Sequence, residues 1–158
     1  MKRETACTLV LVFGLLLAGG IWGPARAAPQ PCSVVEPSDI SSKAQKITSG
    51  LITANQSSWS HSFSAGQVAW VVLKNSNVHL TPVDVQFRET ILDPKTGKPS
   101  TVVACASRVV VPPGKTVVVK RSVFGKKISY DLEVALPNEP PIDSAVVQIT
   151  VQALPAEG

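Results

Sequence analysis

Ser58-Trp59-Ser60-His61-Ser62-Phe63 puts a ring at every second position and a serine between each pair. Successive side chains of a β-strand point to opposite faces, so this is a strand with one face toward a core and one toward water. The same period of two recurs downstream. Val83, Val85, Phe87 and Ile91 alternate with Asp84, Gln86, Arg88 and Thr90, and Ile128, Tyr130, Leu132, Val134 and Leu136 alternate with Ser129, Asp131 and Glu133. Valine is the commonest apolar residue in these runs, and β-branched side chains suit a pleated, half-buried surface.

Between the runs stand turn signals: Asn75-Ser76-Asn77, the segment Asp93 to Gly97, Pro112-Pro113-Gly114, Gly125 and the segment Pro137 to Pro141. They delimit strands at 47–54, 58–64, 67–74, 83–92, 101–111, 115–123, 127–136 and 145–153. Short strands spaced by turns predict an all-β chain, an antiparallel sandwich of seven or eight strands. The near-continuous apolar runs Val68 to Leu73 and Val102 to Ala106 predict strands covered on both faces, with Trp70 as an anchor between the sheets. A short helical turn fits only within 38–46.

The stretches Ala69 to Asn75, Val83 to Asp93 and Val109 to Val118 resemble secreted immunoglobulin-like modules, including FxLYD-type domains and the N-terminal domain of periplasmic pilus chaperones. In such modules a strand ending in Asn leads to a strand ending in Asp-x-x-Gly, and a Pro-Gly turn opens a valine-rich strand. The resemblance implies an immunoglobulin-like sandwich and little about function.

At the N-terminus, Lys2-Arg3 precede the apolar run Leu9 to Ala18, and Ala25-Arg26-Ala27 offers small residues for a signal peptidase. The run is shorter than the roughly 20 residues that span a bilayer, so a cleaved signal peptide is expected and no stable membrane span after cleavage. The expected organisation is signal peptide 1–27, proline-rich lead 28–46, sandwich 47–154 and tail 155–158, in a periplasmic or secreted protein. Cys32 lies well behind the apolar run and follows Pro31, which argues against lipid attachment. The whole chain has 158 residues and a net charge of +4; without 1–27 it has 131 residues and +2. That leaves no dense basic face for nucleic acid.

Export to an oxidising compartment leaves Cys32 and Cys105, which allow one pairing, and a structural disulfide is expected. No C-x-x-C motif points to redox catalysis. Two histidines, His61 and His79, lack recognised metal-ligand spacing. The other functional reading is nevertheless a periplasmic metal or small-ligand binder using both, with a carboxylate such as Asp84. No G-x-S-x-G motif marks a hydrolase, and Asp131 and Glu133 read as a solvated strand face. No catalytic residue and no cofactor are expected.

Lys115, Lys120, Arg121, Lys126 and Lys127 form the densest cationic stretch. Lys120 and Arg121 should point to opposite faces of their strand unless it ends there. Lys120, Arg121, Lys126 and Lys127 are the candidate partner contacts, toward an acidic protein or an anionic envelope component. The functional expectation is a non-catalytic module that binds another envelope or secreted protein by pairing along an exposed sheet edge.

Overall fold

The computed structural model describes residues 29–63, 68–122, 129–138 and 146–154. Among them are nine strands: β1 (Ser33–Val35), β2 (Gln45–Thr53), β3 (Ser58–Phe63), β4 (Val68–Asn75), β5 (Thr81–Leu92), β6 (Pro99–Val111), β7 (Thr116–Ser122), β8 (Ser129–Ala135) and β9 (Val146–Leu154). They form a five-stranded sheet, order β1-β7-β4-β9-β2, and a four-stranded sheet, order β3-β8-β5-β6. Every pairing is antiparallel. The all-β, two-sheet architecture is therefore as the alternation predicts.

The pairings are nested. β5 pairs with β6, β4 with β7, β3 with β8 and β2 with β9, as in one long hairpin doubled back at the turn 93–98. Rolling that double ribbon until β4 meets β9 and β5 meets β8 closes both sheets. This is the strand order of a jelly roll. It does not bear out the immunoglobulin-like expectation, because an immunoglobulin sandwich keeps its first two strands side by side in one sheet, whereas β1 and β2 stand at opposite edges of the five-stranded sheet. Here β2 and β3 lie in different sheets, and β2 neighbours the last strand.

Local chemistry fixes the turns. At 93–98 the Asp93 carboxylate accepts from the Lys95 N–H at 2.8 Å, and Gly97 takes φ +68°, a left-handed conformation that costs glycine little. Pro112 to Lys115 is a turn with Gly114 at φ +67°. Asn75, wholly buried at the end of β4, donates from Nδ2 to the His79 and Val111 carbonyls at 2.7 and 2.8 Å, and its Oδ1 accepts from the Asn77 N–H. The sequence Asn75-Ser76-Asn77 thus acts through a buried side chain that ties three segments together.

Inside, Val71, Leu73, Val119 and Ile149 meet Phe63, Phe87, Tyr130 and Leu132. Each large apolar side chain taken fully from water adds about 1.5–3 kcal/mol. β4 is a central strand covered on both faces, as expected. Trp70 is also buried, at 2% exposed, but it alternates with Ala69 and Val71 and so lies on the outer face of the five-stranded sheet, not between the sheets. Val118 is buried on that same outer face, alternating with the core residue Val119.

The lead explains this burial. β1 leaves the sheet at the level of Val118 and Val72, and β2 enters it at the opposite edge at the level of Ala153 and Ala69. The segment between them therefore runs diagonally over the sheet, with a 3-10 turn at Pro37–Asp39 against β7. Part of the proline-rich lead is thus a strand and part a cover.

β6 is the other departure. Its valine run does not mark a doubly covered strand: β6 is an edge, and Val102 and Val103 are 43% and 39% exposed. β5 and β6 are the longest strands, and residues 99–103 are exposed on both faces at the turn end of their hairpin.

Candidate functional site

An edge strand presents unpaired N–H and C=O groups, and proteins blunt such edges with short strands, bulges, lysines or covering segments. Two sheets give four edges, β1, β2, β3 and β6. β1 is only three residues long. β2 carries Lys46 and a bulge between Lys46 and Thr48. β6 has a bulge opposite Phe87 and Arg88, and the lead crosses it: the Ala106 N–H donates to the Gln30 carbonyl at 2.9 Å, and the Cys32 N–H donates to Ser107 Oγ at 2.7 Å. The Cys32–Cys105 disulfide, with Cα atoms 5.0 Å apart, locks that crossing in place, as the cysteine count predicts.

Among the described residues β3 has none of these devices. Its register with β8 is unbroken from Ser58 opposite Ala135 to Phe63 opposite Tyr130, and it contains no lysine, arginine or proline. No strand pairs with its other side among the described residues. The Leu136 N–H donates to the Ser57 carbonyl at 2.7 Å, which makes that opposed pair a hydrogen-bonded one. Opposed pairs alternate, so Trp59, His61 and Phe63 bond to β8, while the backbone groups of Ser58, Ser60 and Ser62 point to the open edge.

The two faces of β3 differ as the sequence predicts. Inward, Trp59 stacks with His61 at 6.1 Å between ring centroids, and His61 meets Phe63 edge-on at 4.9 Å. Trp59 lies over Gly50 of β2, where a Cβ would collide with the indole. This ring closes the flank between the two sheets. Burial lowers the His61 pKa below the usual 6.5, because the charged imidazolium loses hydration there.

Outward, a groove of about 560 Å3 runs over β3 and β8, lined by Gln56, Ser60, Ser62, Arg88, Asp131 and Glu133 among others. Ser62 Oγ donates to Asp131 Oδ1 at 2.5 Å, and Arg88 Nη2 donates to Glu133 Oε2 at 2.7 Å. Among the described residues two carboxylates share the groove with one guanidinium, and these side chains together carry a net negative charge. The groove offers hydrogen-bond acceptors and hydroxyls beside an unpaired backbone edge.

The cationic stretch is divided. Lys120 stands on the outer face of β7 with its ammonium 5.7 Å from the Trp70 ring centroid. Arg121 turns inward and pairs across the sheets with Glu89, Nη2 to Oε1 at 2.9 Å. Lys126 and Lys127 lie outside the described residues. Glu89 is 6% exposed and occupies the apolar side of β5, between Phe87 and Ile91. That break in the alternation was visible in the sequence and points to a buried partner. Sequence reasoning also passed over Arg88 and the serines as a joint surface, since their meeting depends on β3, β8 and β5 being neighbours.

The histidines sit apart in role. His61 belongs to the aromatic stack, whereas His79 is exposed in the β4–β5 loop and contributes its carbonyl to Asn75. Among the described residues no group of three or more His, Cys, Asp or Glu side chains is placed to hold a metal ion. Nor is any helix among them long and apolar enough to cross a membrane. The chain matches no known protein-family model, no curated protein and no solved structure.

Proposed function

We propose that the chain is an exported, non-catalytic module that binds an extended segment of another envelope or secreted protein along β3. The observation that carries this reading is the contrast among edges: three are blunted, and the regular, uncharged β3 is not. Strand addition at β3 draws affinity from the outward backbone groups of Ser58, Ser60 and Ser62. Each net hydrogen bond contributes about 0.5–1.5 kcal/mol. Selectivity comes from the groove above, where Asp131 and Glu133 favour a segment carrying basic or hydroxylated side chains at alternate positions. The buried disulfide and the signal-like N-terminus agree with work in the periplasm or outside the cell.

Ser60→Pro removes the outward N–H at the middle of β3 without removing a bond to β8, and proline is tolerated on edge strands. Ser60→Ala keeps the N–H. Cross-linking in the native compartment, read by mass spectrometry, should give a partner adduct for the wild type and Ser60→Ala. The adduct should fall at least about tenfold for Ser60→Pro, the equivalent of about 1.4 kcal/mol. Equal adduct yields from Ser60→Pro and Ser60→Ala would rule out strand addition at β3.

A further inference from the structure

A second recessed site lies on the opposite flank, away from β3. β1 is so short that its pairing with β7 ends at Ser33 opposite Lys120, and among the described residues no strand flanks Arg121 and Ser122 on that side. At this corner the two faces of β7 come together around a pocket of about 440 Å3, lined by Gln30, Ser33, Lys120, Arg121 and Ser122 with two apolar neighbours from the lead. The strand ends here, which is the condition under which Lys120 and Arg121 can serve one site although they leave β7 on opposite faces.

The lining is built from donors. Lys120, Arg121, Ser33, Ser122 and Gln30 bring donor-bearing side chains to it, and no carboxylate lines it among the described residues. Glu89 engages Arg121 through Nη2, 2.9 Å from Oε1, while Arg121 Nε is buried away from solvent and is not a donor to this pocket. Lys120 has a ring beneath it but no carboxylate partner among the described residues. Charge and donor count therefore both favour an anion that accepts several hydrogen bonds at once.

We propose that this corner pocket binds a phosphoryl oxyanion, either free phosphate or the phosphodiester of an anionic lipid headgroup. A tetrahedral group with several acceptor oxygens engages the Lys120 ammonium as a point charge and the Arg121 guanidinium through directed N–H bonds. Ser33 and Ser122 supply hydroxyls from the two strands that bound the site. Exposed charges take part, so affinity falls as salt rises.

The test is a titration of the disulfide-bonded protein with inorganic phosphate, followed by amide NMR at fixed ionic strength. Saturable shifts centred on Ser33, Lys120, Arg121 and Ser122 are expected. They should weaken at least about tenfold in Lys120→Gln, persist in Lys120→Arg and be unchanged in Ser60→Pro, which lies on the other flank. Ser122→Ala gives an independent weakening that leaves the contact between Lys120 and Trp70 intact. Co-sedimentation with phosphatidylglycerol-containing vesicles, against phosphatidylcholine alone, separates the sources. Vesicle binding competed by phosphate identifies a headgroup, and phosphate binding without vesicle binding identifies a free anion. Shifts that do not saturate, or that ignore Lys120→Gln, overturn the proposal, as does vesicle binding that neither phosphate nor Lys120→Gln reduces.

Discussion

The two flanks of the sandwich meet the same problem with different chemistry. On the β1/β6 flank the lead crosses the edge, accepts from the Ala106 N–H at the Gln30 carbonyl, donates from the Cys32 N–H to Ser107 Oγ, and is fixed by the Cys32–Cys105 bridge. On the β2/β3 flank no disulfide joins the sheets, and the Trp59 ring over Gly50 fills the gap. The first solution covers backbone groups at the edge of β6. The second closes the core but leaves the backbone edge of β3 open, because Trp59 reaches inward while the serine amides face out. An interior can be sealed without sealing its edge, and the difference separates a flank whose edge strand is covered from one whose edge strand is unpaired among the described residues.

Cutting the covalent flank should have the greatest consequence. A bridge across 73 residues of separation constrains the unfolded chain by about 4 kcal/mol in the loop-entropy model. Replacing both Cys32 and Cys105 by alanine should lower the urea-extrapolated stability by about that amount. On the aromatic flank, Trp59→Ala should cost about 2–3 kcal/mol, at the low end for a large core ring because Trp59 is only partly buried. Gly50→Ala attacks the same contact from beneath and should cost about 1–3 kcal/mol by displacing the indole. A Gly50→Ala variant as stable as the wild type would show that the ring does not close this flank.

The smallest effect is a pH dependence on the aromatic flank. The folded pKa of His61 is lowered, so below the usual imidazole value the unfolded chain binds more protons than the folded one. Stability contributed by neutral His61 is complete above about pH 6.5 and is lost as pH falls through the lower folded value. Urea midpoints at about pH 7.5 and about pH 5.5 should show this slope, and His61→Gln should flatten it.

Much of the fold could be read from side-chain alternation. Eight strands, β2 to β9, lie within two residues of the positions predicted by period-two runs and turn residues. β1 was illegible because three residues, Ser33 to Val35, show no period. Strand order was illegible for another reason: turns such as Pro112-Pro113-Gly114 specify local geometry but not which distant strand becomes a neighbour. The resemblance to immunoglobulin-like modules rested on those same turns. Val102 and Val103 show that an apolar run does not reveal whether another layer covers it, and Trp70 shows that burial does not reveal which face is buried. The disulfide was legible from arithmetic, since only two cysteines follow the signal-like segment. The β3 edge was half legible: its two faces follow from Ser58 to Phe63, but its place at the rim follows only from the topology.

The decisive measurement is backbone amide hydrogen exchange along β3, in the isolated protein and in its purified partner complex. In the isolated protein the amides of Ser58, Ser60 and Ser62 should exchange quickly while those of Trp59, His61 and Phe63 are protected. The three serine amides should become protected in the complex. Serine amides already protected in the isolated protein, or still fast in the complex, would contradict strand addition at β3.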